Sequence, residues 1–212
     1  MTETNPETVQ RLLMERQDVW IHLPAKTSVF RITSHPTPIF YNRRSISRYS
    51  DPFQEVGVCY VAGSPEVAIA ETFQHGRNGL GSPVLVAEIS SASLHQLETA
   101  RTLRLVDVQR LCSYLGGKLG AICEGRGQGG SGYRLTQQLS GACMRSGVDA
   151  DGLVYSSVAF GRALSMEGHN VVLFEGRGTQ LLALDASPVE TVMLSGDTTA
   201  LELLLQLKVL VV

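Results

Sequence analysis

Apolar residues recur along this chain in two rhythms, one of helices and one of strands. Val9, Leu12 and Leu13 share one face of a helix predicted over 5–17, with Asn5 as its cap and Pro6 in its first turn. Residues 29–32 and 57–62 read as strands, and a helix over 65–74 opens after Ser64. Residues 83–89 and 103–108 read as two more strands, with polar 90–101 between them a candidate for another. A short helix is expected over 108–115. A longer one is expected over 133–145, where Leu135, Leu139, Ala142 and Cys143 fall on one face. Residues 152–155, 171–174, 180–185 and 189–194 are strand-like. Asp197 or Thr198 can cap a last helix, and LKVLVV closes the chain as a β-branched strand.

Strands and helices therefore mix without a regular β-α-β alternation. This predicts an α+β, or irregular α/β, fold: a twisted, partly antiparallel sheet with flanking helices. A Rossmann sheet or a TIM barrel would need regular crossovers. The 212 residues suit one domain over 1–212, with residues 1–24 as an N-terminal helical extension and 116–132 as a glycine-rich insertion.

Composition narrows the function classes. The net charge of −2 gives no electrostatic footprint for nucleic acid, so no direct nucleic-acid partner is expected. The polar N-terminus has no apolar core of a secretory signal, and no apolar run approaches the length of a membrane span. A cytoplasmic protein with no membrane partner is expected. Cys59, Cys112, Cys123 and Cys143 lack C-x-x-C spacing and read as reduced core thiols. His22, His35, His75, His95 and His169 form no H-x-x-x-H pair, so no metal site is expected. The run GRGQGGSG at 125–132 lacks the Lys-Ser/Thr of a phosphate loop. No serine sits in a G-x-S-x-G elbow.

One stretch carries chemistry. Between Arg48 and Glu71 the chain places a cation in a polar loop, Tyr60 in an apolar strand, and a carboxylate directly after Val67, Ala68, Ile69 and Ala70 on a helix. A carboxylate so placed sits near the core, where an ionised group needs a partner. A cation, an aromatic ring and a partly buried carboxylate can hold an anionic nucleotide and stabilise a positively charged sugar. The irregular stretch over 34–55, long for a compact domain, fits a functional loop.

The order FRIT at 30–33, SRYSDP at 47–52, VCYVAGSPEVAIAETF at 58–73, LRLVDV at 103–108, DGLVYSSV at 151–158 and NVVLFE at 170–175 resembles the RES domain family. That family supplies toxins of bacterial toxin–antitoxin pairs. The resemblance implies an ADP-ribosyltransferase-like fold and an enzyme that consumes NAD⁺ as substrate, with no further cofactor required. The reaction would be NAD⁺ glycohydrolysis, phosphorolysis or mono-ADP-ribosyl transfer, with water, phosphate or a protein side chain as the open choice of acceptor. It also implies a homodimer and an antitoxin with an Xre-type helix-turn-helix domain. Carried over residue by residue, Glu71 would stabilise the oxocarbenium-like sugar, and Arg31 and Arg48 would bind the pyrophosphate. Tyr60 would stack on the nicotinamide or ribose. Ser157, with Ser156 as the neighbouring alternative, would hydrogen-bond Glu71 or the nicotinamide amide. Glu71, Arg48 and Ser157 form the catalytic set; Tyr41 and Arg44 are candidate wall residues. Arg162 follows the serine without an assigned role. The alternative reading is a non-catalytic member of the same fold that holds a nucleotide or a protein.

Overall fold

Strand formation here follows the alternation of apolar residues, and most of it converges on one sheet. The computed structural model describes residues 6–44, 46–74, 82–116, 133–157, 159–160 and 165–212. His75, Cys123, Arg162 and all but the first residue of the 116–132 insertion lie outside the described residues. Eight strands form a mixed sheet: β1 (Trp20–Leu23), β2 (Ser28–Thr33), β3 (Val58–Ala62), β4 (Ser93–Thr99), β5 (Leu103–Asp107), β6 (Gly152–Ser156), β7 (His169–Phe174) and β8 (Leu181–Pro188). Their order is β1-β5-β6-β7-β3-β2-β4-β8. Only the β5–β6 pair is parallel; the rest are antiparallel. Two short strands, β9 (Met193–Leu194) and β10 (Thr198–Thr199), pair separately.

Six α-helices flank the sheet among the described residues: α1 (Pro6–Glu15), α2 (Pro65–Phe73), α3 (Val86–Ser90), α4 (Val108–Tyr114), α5 (Arg134–Arg145) and α6 (Ala200–Gln206). The α+β class expected from the pattern is the observed one. Some elements differ. Residues 83–89 turn into α3 rather than a strand, because the Val84 and Val86 N–H groups donate to the Leu210 and Val212 carbonyls of the C-terminal tail. That tail forms no strand: it leaves α6 through a turn with Lys208 at a positive φ of 59°, and among the described residues its ladder contact is the Val84–Val211 bridge. The last helix is capped by Thr199, one residue later than expected, in a reciprocal capping box with Glu202. Strand β1, not foreseen, pairs along β5.

The helices make two apolar clusters on one face of the sheet. Helices α1, α4 and α5 pack with Tyr49, Val58, Leu153, Val172 and Phe174. Helices α2, α3 and α6 pack with Ala62, Phe30 and Ile32. The other face carries Val29, Cys59, Val61, Leu105, Val154, Val171 and Leu173, partly covered by Ile39 and Tyr41. Helix α2 buries Val67, Ile69 and Phe73, each worth about 1.5–3 kcal/mol on transfer from water. Its start is fixed by Ser64, whose Oγ accepts from the Val67 N–H at 3.3 Å, and by Pro65 in the first turn. The preceding Gly63 admits no side chain, since a Cβ there would collide with the Met166 carbonyl oxygen. β3 thus leads into α2 by a tight, specified turn.

Candidate active site

A cavity of about 320 Å³ opens between the two helical clusters, where β2 and β3 meet only at Phe30–Ala62 and then part. Its walls come from five segments. β2 gives Phe30, Arg31 and Ile32, the loop before β3 gives Ser47 and Arg48, the β3–α2 unit gives Tyr60, Ala68 and Glu71, the N-terminal cap of α5 gives Tyr133, and the β6–β7 pair gives Tyr155 and Asn170. Glu71, at the last turns of α2, is half-buried.

The Glu71 carboxylate is held at both oxygens. Ser157 Oγ donates to Oε1 at 2.7 Å, and Gln74 Nε2 donates to Oε2 at 3.2 Å. Ser157 is 1% exposed and follows directly on β6, so its hydroxyl has little other choice. Of the two candidate serines, Ser157 meets Glu71. Ser156 points to the opposite face and lies 3.2 Å from His169 Nε2. Gln74, one helical turn beyond Glu71, was missed in the sequence; its spacing of three residues was the available signal.

The loop carrying Arg48 is irregular but heavily tied. Tyr60 Oη accepts from the Tyr49 N–H at 2.9 Å and lies 3.0 Å from Ser47 Oγ. Burial pushes the Tyr60 phenol up to about 12, so it stays protonated. Ser140 Oγ donates to the Tyr49 carbonyl at 2.7 Å, and Gln137 Nε2 donates to the Ser47 carbonyl at 2.9 Å. Asp51 completes the anchorage. It accepts from the backbone N–H groups of Phe53, Glu55 and Val56 and from Arg145 Nη1 at 2.8 Å. Burial alone would raise the Asp51 pKa, but Arg145 and these N–H groups outweigh it and lower it overall. The result presents Arg48 to the cavity beside the Tyr133 ring, 5.7 Å from its centroid. The Tyr60 ring lines the cavity while its hydroxyl positions the Arg48 loop, a role the sequence did not reveal.

Two of the expected site residues direct their polar groups away from the cavity. Arg31 borders the cavity, but its guanidinium is drawn to the far face of the sheet. Alternation along β2 puts Phe30 and Ile32 with α2, and Arg31 with Val29. Arg31 Nη1 donates to Cys59 Sγ at 2.7 Å and to the Phe40 carbonyl at 3.2 Å, and the group stacks 4.0 Å above the Phe40 ring. Both arginines line the cavity, but only the Arg31 guanidinium is engaged by Cys59 and Phe40 on the far face. Tyr41 does not line this cavity. Its hydroxyl donates to Gln180 Oε1 at 2.6 Å on the far face, and Gln180 Nε2 donates to the Asp151 carbonyl at 2.9 Å. Burial pushes the Tyr41 phenol up to about 12. Tyr41 thus fastens the 34–44 loop to the sheet. Arg44 is exposed and also stands outside the cavity lining.

The arrangement joins a fixed carboxylate, a cation on an anchored loop, and three tyrosine rings in a space fit for a flat, charged ligand. The RES domain model matches residues 28–195, which hold every part of this cavity, and the chain belongs to the RES domain family. A solved chain from the M. tuberculosis MbcT–MbcA toxin–antitoxin complex is similar in fold, with a TM-score of 0.58 at 15% identity. The match covers 94% of this chain and 96% of that chain. No curated protein matches by sequence. Among the described residues no helix is long and apolar enough to cross a membrane.

Proposed function

We propose that this protein is an NAD⁺-cleaving toxin of a toxin–antitoxin pair. One observation carries the reading: the Glu71 carboxylate, held by Ser157 and Gln74, lines a cavity whose walls also include Arg48 and three tyrosine rings. Breaking the bond between nicotinamide nitrogen and ribose C1′ sends the electron pair to the pyridine ring and leaves positive charge on the sugar. A carboxylate already fixed by two hydrogen bonds can stabilise that charge without reorganising. The acceptor oxygen then bonds to C1′ and loses its proton. Arg48 binds the pyrophosphate, and the tyrosines flank the nicotinamide ring. Membership of the RES family and the likeness to a chain from a toxin–antitoxin complex support the toxin role. The same likeness supports a protein antitoxin as partner; the proposal takes it to be of the Xre type and the active form to be a homodimer.

The test is direct. Purified protein is incubated with NAD⁺, with and without phosphate, and the products are separated by mass spectrometry. Release of free nicotinamide is expected, and the ribosyl product identifies the acceptor. Intact NAD⁺ after prolonged incubation would favour the alternative, a binding member without catalysis. Expression without a partner should arrest growth of the host.

A further inference from the structure

The β7 residues that face the helices are Asn170, Val172 and Phe174, by the period of two along the strand. Val172 and Phe174 belong to the apolar core. Asn170 breaks the pattern. It is 4% exposed, lies in the cavity wall, and pairs across the ladders with Ala62 and Tyr155. Its Nδ2 has no hydrogen-bond partner and is cut off from solvent. A buried amide donor left unpaired destabilises a fold, and native proteins almost always satisfy such groups. An apolar residue would serve β7 better, so the fold itself does not call for this amide.

Its position says what it faces. Asn170 stands opposite Tyr155, two residues before Ser157, which holds Glu71. Arg48 enters from a separate loop. A dinucleotide with its pyrophosphate at Arg48 and its ribose at Glu71 would have its next group, the pyridine carboxamide, within the same cavity, whose wall includes Asn170. We propose that Asn170 is a ligand-binding residue whose side-chain amide turns about its last bond when the ligand enters, presents Nδ2 to the cavity and donates to the carboxamide carbonyl of nicotinamide. The site would thereby read that carbonyl and orient the leaving ring. This rests on the NAD⁺ reading above and adds the specificity determinant to it. A site built to pair with a polar group discriminates strongly against an analogue that pairs poorly.

The experiment compares wild type with Asn170→Leu and Asn170→Asp, using NAD⁺ and its thionicotinamide analogue, whose C=S is a poor acceptor. Wild type should show a KM for NAD⁺ at least about tenfold below that for the analogue, and both variants should lose most of that preference. Asn170→Leu should keep or raise the Tm of the free protein while raising the KM for NAD⁺ about tenfold. If Asn170→Leu does not fold, Asn170→Asp decides by the same ratio. Variants that retain the wild-type preference and KM would overturn the assignment while leaving NAD⁺ cleavage standing. A wild type that releases no nicotinamide and binds neither dinucleotide would overturn both.

Discussion

The two faces of the central sheet carry polar residues to different ends. On the far face, Arg31, Tyr41, Gln180 and Asp151 satisfy one another or nearby protein groups, and they fasten loops to strands. On the helix-covered face, Glu71 is fixed by Ser157 and Gln74 with its carboxylate at a cavity, and Asn170 keeps an unpaired donor. Polar groups that close on each other build structure. Polar groups held in place but left open are available to a ligand. The gap between the two helical clusters makes the difference, since there the face stays open beside Glu71 and Asn170.

The largest effect should come from the open face. Glu71→Gln should lower the rate of nicotinamide release by about a thousandfold while its Tm stays near wild type. A variant retaining the wild-type rate would remove Glu71 from the chemistry. Next comes the anchorage of the Arg48 loop. The folded Asp51 pKa lies below its ordinary 3.8, because Arg145 and three backbone N–H groups outweigh burial. Its contribution is therefore present above that ordinary value and lost as pH falls through the lower, folded value. Asp51→Asn should cost about 3 kcal/mol at neutral pH, about 6–12 °C in Tm. It should also flatten the Tm profile between pH 5 and 2; an unchanged profile would show that Asp51 does not carry the acid sensitivity.

The paired arginines sharpen the contrast between faces. Arg31→Ala should cost about 2 kcal/mol of stability, since it strips Cys59 and the Phe40 carbonyl of their donor. Arg48→Ala should instead raise the KM for NAD⁺ about tenfold or more with little change in Tm. A raised KM in the Arg31 variant at wild-type Tm would break the division proposed between the faces. The smallest difference separates the serines. Ser157→Ala should lower kcat about tenfold by loosening Glu71, whereas Ser156→Ala should leave it within about twofold. Equal losses in the two would contradict the geometry.

Much of this was legible in the residues. The Ser64-Pro65 start of α2, the apolar run before Glu71 and the strand around Tyr60 are local signals, and the fold keeps all three. Helix α5 also follows its apolar period. What escaped depends on distant partners. Residues 83–89 look like a strand, and only the C-terminal tail, over a hundred residues later, makes them an extended bridge followed by α3. Arg31 and Arg48 look equivalent in a list of cations. Alternation along β2, and the register that sets which face α2 covers, separate them. The unpaired Asn170 amide is invisible without knowing that Ala62 and Tyr155 flank it. The second role of Tyr60, holding the Arg48 loop, likewise needs the loop in place.

A crystal structure of Glu71→Gln with NAD⁺ bound would test the central claim most directly. The dinucleotide should lie on the helix-covered face, with its pyrophosphate at Arg48, its nicotinamide ribose beside residue 71 and its carboxamide at Asn170. A dinucleotide seated on the far face beside Arg31 and Tyr41, with that cavity empty, would contradict it.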